Sequence, residues 1–211
     1  MNQSTKRQRR DPQPMPSLKN VAAAASMGTW LPLLLIIVVG GCTYLNSFGG
    51  QFLLDDNQHI LENQRIGQFE SIWDVISKSR RPVVELSLVL NYTFGRFEVV
   101  GYHLFNLVVH LLAGMTLFGL IRRTLLGSQL LVRYAESATG LALASALLWV
   151  VHPLQTQSVT YIIQRGESLM GLFYLLTLYA FLRGIQSSRR FFWYGAAICC
   201  CALAMGSKAV A

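Results

Sequence analysis

Charge is what this 211-residue chain has least of: Asp, Glu, Lys and Arg make up 13% of it, where soluble proteins average about 25%. With 53% hydrophobic residues and a mean hydropathy of +0.41, that scarcity excludes disorder and disfavours a water-soluble globule. Acid is scarcer than base, 10 Asp+Glu against 18 Lys+Arg, which leaves a net charge of +8. The basic residues punctuate apolar segments and form no single patch interleaved with aromatics, so nucleic acid is excluded as a partner. Cysteine is confined to Cys42 and the run Cys199, Cys200, Cys201. No CxxC spacing occurs, so neither a zinc site nor a disulfide framework is indicated, and the cysteines read as buried small hydrophobes. No Ala-x-Ala site follows the first apolar run, so residues 1–27, with Lys6, Arg7, Arg9, Arg10 and Lys19, read as the basic cytoplasmic tail of an uncleaved anchor.

What the chain does have is apolar runs. A spanning helix needs about 20 mostly apolar residues. Residues 28–45 and 103–121 meet this, and 138–151, 169–182 and 191–205 approach it by letting flanking arginines snorkel. The expected architecture is an all-α, polytopic membrane helix bundle over residues 28–211, with about five spanning helices and a long outer loop at 46–102. Placing the N-terminus in the cytoplasm puts most Lys and Arg on the inner side and most acids outside, as the positive-inside rule requires. The multi-pass chain would then sit in a membrane such as the bacterial inner membrane. Within the loop, Phe69, Ile72, Trp73 and Ile76 recur at helical spacing, and 82–94 opens on a proline. Both predict helices lying on or dipping into the interface.

Chemistry concentrates on the outer side. Asp55 and Asp56 are adjacent carboxylates beside a membrane, where repulsion and partial desolvation raise one of them toward the affinity of a general base. An acidic pair in a loop is by itself more often solvated surface. Arg80-Arg81, the stretch from His152 to Arg165, and Ser207-Lys208 converge on the same side. Arg forks and a Lys point charge are what an anionic lipid head group requires. His103, Asn106 and His110 fall at i, i+3 and i+7 on one helix face. Two histidines could suggest a metal, but no third ligand shares that span, and hydrogen bonding between helices is the better reading.

Asp55-Asp56 followed by Ile60, Asn63 and Ile66, then Arg81-Pro82, Leu86-Ser87, Asn91-Tyr92, Phe94-Gly95, Gly101-Tyr102-His103, Asn106 and His110, resembles the membrane half of the transmembrane and tetratricopeptide-repeat O-mannosyltransferases. His152-Pro153, Gln155-Thr156, Val159, Tyr161-Ile162, Gln164-Arg165 and Ser207-Lys208 continue the pattern in order. Gln157 and the Gln-Arg pair look more like the bacterial members. The resemblance implies a class C glycosyltransferase fold and a polyprenyl-phosphate sugar donor, with a sugar such as mannose passed to a protein or glycan hydroxyl on the non-cytoplasmic side. It implies Asp55 and Asp56 as the catalytic pair. It places Arg165, Lys208 and Arg81 at the departing lipid phosphate, with no metal or cofactor because those cations do a metal's electrostatic work. His103, Asn106, His110 and His152 are expected to be structural polar groups. Two departures stand out: Ala209 replaces the usual Glu after Ser-Lys, and no 34-residue repeat follows, so the chain reads as a fragment, a truncated product or a degenerate copy. The competing reading is a non-catalytic membrane protein that binds lipid or partner helices through the same surface. A transporter would need charged or unwound positions in mid-span, of which few are evident.

Overall fold

The computed structural model describes residues 28–53, 55–63, 66, 72–127 and 130–208. Among these residues every regular element is helical. The basic tail 1–27, Phe69 of the expected interfacial helix and Ala209 lie outside the described residues. Helix α1 (Trp30–Thr43) leads into a 3-10 turn and the outer loop. That loop holds α2 (Ile72–Lys78) and α3 (Pro82–Gly95). Then come α4 (Val99–Leu125), the single turn α5 (Leu131–Tyr134), α6 (Ala138–Val150), the short α7 (Gln157–Thr160), α8 (Arg165–Gln186) and α9 (Arg190–Ser207).

All five expected apolar runs become helices, though of unequal length. Three stretches are long and apolar enough to cross a membrane: α4 at 27 residues, Ile162–Gln186 with α8 at 25, and α9 at 18. A fourth arises if α6 and the segment Pro153–Thr160, bent 56° from it, count as one broken span. The apolar surfaces are turned outward. Trp30, Leu34 and Val38 of α1, Phe181 and Ile185 of α8, and Phe191, Phe192 and Ile198 of α9 are all exposed, which suits lipid and not water. This is a membrane protein. The cysteines differ from expectation: Cys42, Cys199 and Cys201 are exposed, because they fall on the outward faces of α1 and α9, where a small apolar thiol meets lipid as readily as core.

Helix α4 is the hub, packing against α1, α6 and α8, while α8 and α9 pair as a hairpin. Close approach is made by small residues. Ala138, Ala142, Ala146 and Val150 form one wholly buried i, i+4 stripe on α6. Gly40 of α1 and Gly114 of α4 both face Val150, and a Cβ at Gly40 would stand 2.5 Å from Leu111 and 2.8 Å from Val150. On the other side of α4, Tyr102, Val109 and Ala113 join Ile60, Val84, Leu88, Ile162 and Leu169 in a second core, which ties the outer loop to the spans.

Candidate active site

The break between α6 and α8 is the feature on which the site is built. Ending a helix inside an apolar layer strands backbone carbonyls, and each such group costs several kcal/mol (about 2–7) unless a partner reaches it. Here the partners are polar side chains from α4 and its surroundings. The Val150 carbonyl, last in α6, accepts from the Tyr44 hydroxyl at 3.0 Å and from His110 Nε2 at 2.9 Å. The Val159 carbonyl takes His103 Nδ1 at 3.2 Å. Asn106 Nδ2 donates to the carbonyls of Tyr161 and Ile162 at 3.4 and 3.3 Å. Bonds to carbonyl oxygens require a proton on His103 Nδ1 and on His110 Nε2, so the two rings hold opposite tautomers when neutral. The polar stripe of α4 exists to hold down the unwound segment. His152 serves it too, its Nδ1 accepting from the Leu154 N–H at 3.2 Å to cap the turn after the break.

The two aspartates divide their labour. Asp56 is 1% exposed. Its Oδ2 accepts from the Leu53 N–H at 3.1 Å, and its Oδ1 accepts from the Ile163 N–H at 2.9 Å, across 107 residues of sequence. That clamp docks the outer loop on the unwound segment. Burial holds the Asp56 carboxyl above the usual carboxylate range, opposed by those two N–H donors and by the positive potential of His103 and Arg165. Asp55, one residue earlier, is exposed. Its carboxylate faces Tyr161, whose phenol is pushed up by desolvation and then by the charges of Asp55 and Asp56.

Beside the clamp opens a cleft of about 440 Å³. Ile163 and His59, one turn on from Asp55, form one wall; Lys78, Arg80 and Arg81 supply cations, and Glu85 the one carboxylate. Lys78 is paired with Asp74 at 2.7 Å. Among the described residues, neither Arg80 nor Arg81 has such a pairing, so the cleft keeps a positive balance.

No family model matches the chain, and no solved structure does. Curated sequences do match. The chain is 32% identical over 164 residues to protein O-mannosyl-transferase tmtc2 of Xenopus laevis, covering 71% of this chain and 18% of that protein. It is 27% identical over 173 residues to a protein O-mannosyl-transferase of Caenorhabditis elegans, and 28% identical over 185 residues to human protein O-mannosyl-transferase TMTC4, in each case 24% of the relative's length. The chain is homologous to the protein O-mannosyl-transferases. It spans about a quarter or less of the length of these three relatives.

Against the positions that the O-mannosyltransferase resemblance singled out, the structure brings Asp55, Asp56, His103 and Asn106 together around residues 159–163, and sets Arg81 in the adjoining cleft. Arg165 is placed otherwise than expected. It is wholly buried, with NH1 donating to Ser87 O and Oγ at 3.2 and 3.3 Å and to Asn91 Oδ1 at 2.8 Å, and NH2 donating to Tyr102 O at 3.3 Å. Phe105 covers its face, 4.6 Å away. Both terminal nitrogens of the guanidinium are thus spent on neutral acceptors, and only its buried Nε has no partner among the described residues. Lys208 pairs with Glu167 at 2.7 Å. The last turn of α9 reaches the start of α3 at Gly206, where a Cβ would meet Val83 at 3.0 Å. Sequence reasoning gave no role to Ser87, Asn91 and Tyr102, which hold Arg165. The available signal was Ser87 and Asn91, polar at i and i+4 on one face of a mostly apolar helix.

Proposed function

We propose that this chain is the membrane portion of a glycosyltransferase that moves a sugar, a hexose such as mannose, from a polyprenyl-phosphate donor to a hydroxyl of a protein or glycan acceptor outside the cytoplasm. The observation that carries the reading is the exposed Asp55 next in chain to a buried Asp56 whose clamp partner, Ile163, lines a cleft dominated by cations. Asp55 is the base: it takes the proton of the acceptor hydroxyl as that oxygen attacks the anomeric carbon on the face opposite the phosphate. The bond from that carbon to the phosphate oxygen breaks with its electron pair leaving on the lipid phosphate, and the sugar inverts. Arg81 and its neighbour Arg80 stabilise the negative charge that grows there. Lys208 brings a further charge to the same side, screened by Glu167. Arg165 acts as a positioning residue, fixing α8 against α3 and α4 so that residues 161–163 meet the aspartates. Asp56 is likewise a positioning residue, since both carboxylate oxygens are engaged by backbone.

The test is Asp55→Asn, assayed in membranes carrying the protein with polyprenyl-phosphate mannose as donor. Removal of a general base is expected to lower kcat by about 10²–10⁴-fold with the amount of folded protein unchanged. Undiminished transfer overturns the assignment.

A further inference from the structure

A second cleft lies at the other end of α4, about 550 Å³ in volume, between α1, α4 and α8. From His103 to Arg123 the helix rises about 30 Å, a full hydrocarbon thickness, so this cleft opens in the leaflet opposite the aspartates. Its walls are apolar: Leu33 from α1, Met115 and Phe118 from α4, Leu176 from α8. Its polar end holds Arg122, Arg123 and Arg183, and among the described residues no carboxylate lines it.

The arginines are arranged and not merely adjacent to the membrane edge. Tyr179 is their hub, its hydroxyl accepting from Arg123 Nε and from Arg183 NH1, each at 3.3 Å. Gly119 makes room for that ring, since a Cβ there would stand 3.0 Å from it. Arg123 NH1 is steadied by Gln186 Oε1 at 3.2 Å, Arg122 Nε by Thr139 Oγ1 at 3.0 Å, and the Arg183 guanidinium stacks on Trp193 at 4.5 Å. All three side chains are half-buried. A snorkelling arginine that only marks the membrane edge extends to bulk water and needs no such scaffold. For Arg123 and Arg183 these partners are neutral groups, which hold the charges in place without cancelling them.

We propose that this cleft binds an acidic phospholipid, its phosphate on Arg123 and Arg183 and an acyl chain along the apolar wall of α1, α4 and α8. Charge complementarity selects the head group, and the apolar wall selects a lipid over a free phosphate. The site does not depend on the reaction proposed above.

Native mass spectrometry of the full chain, delipidated in detergent and mixed with phosphatidylglycerol or phosphatidylcholine of identical acyl chains, tests this. Phosphatidylglycerol should be retained at least about fivefold better than phosphatidylcholine, and Arg123→Gln with Arg183→Gln should erase that preference. Tyr179→Phe, which keeps both charges and removes the oxygen that orients them, should weaken it by about twofold to threefold. Equal retention of the two lipids by the unaltered chain overturns the proposal, as does a preference that survives the arginine double variant. So does loss of the preference on Arg80→Gln with Arg81→Gln at the far end, or displacement of the lipid by inorganic phosphate at equal concentration.

Discussion

At the scale of single residues, neighbouring identical side chains do different work because one is buried. Asp56 spends both oxygens on backbone N–H groups while its burial holds its carboxyl above the ordinary range. A folded-state pKa raised above the unfolded one means that the folded protein binds the proton more tightly. That contribution to stability is complete below the unfolded pKa and is lost as pH rises through the folded one. Relative to Asp56→Asn, which does not titrate, the unaltered chain should therefore gain thermal stability as pH falls from neutral toward 4. Parallel melting curves of the two proteins across that range read the difference, and a constant gap would contradict it. The adjacency of the two aspartates was visible in the sequence. Their division of labour was not, because it is set by Ile163, which lies 107 residues from Asp56.

At the scale of elements, one face of α4 is held by polar partners at Asn106 and His110 and, a turn further on at Gly114, by close packing. Gly114 lies under Val150, and a methyl group there occupies the space of the valine side chain. Gly114→Ala should destabilise the chain by about 1–3 kcal/mol, an overpacking cost, seen as a lower melting temperature in detergent. The double variant Gly114→Ala, Val150→Ala should recover part of that loss. The polar side of α4 was legible as a face, since His103, Asn106 and His110 share it by spacing alone. What they bond to was not legible: Pro153 marks from sequence where the helix must end, but not that the carbonyls so released would meet α4. The break comes from Pro153, which cannot continue the ladder of α6, and from the ability of α4 to satisfy the carbonyls so released.

At the scale of the whole molecule, two clefts stand at opposite ends of one long helix, one beside carboxylates and one that, among the described residues, is lined by arginine without acid. Such polarity has a use only if the two ends face different compartments. With the four cysteines replaced by serine, Gln58→Cys in the outer loop and Glu136→Cys before α6 should report opposite sides. An impermeant maleimide should label the first on intact cells and the second only after permeabilisation. The reverse pattern would place the N-terminus outside and overturn the charge argument for orientation.

The sequence by itself determined that the chain belongs in a membrane, that it is helical, where its apolar runs lie, and which short motifs it shares with the O-mannosyltransferases. These are local properties, fixed by how many consecutive residues avoid charge and which residues stand next to one another. Only the tertiary structure decided that Arg165 is enclosed by Ser87, Asn91 and Tyr102, that Asp56 is a clamp and Asp55 the open carboxylate, and that Arg123 and Arg183 meet on Tyr179. Each of these turns on hydrogen bonds between residues 56 to 107 apart, save for the one-turn bond of Arg183 to Tyr179 and the Asp56 bond to Leu53. In an apolar layer a polar group must find its partner inside the protein, so where the chain folds back decides what each charge can do.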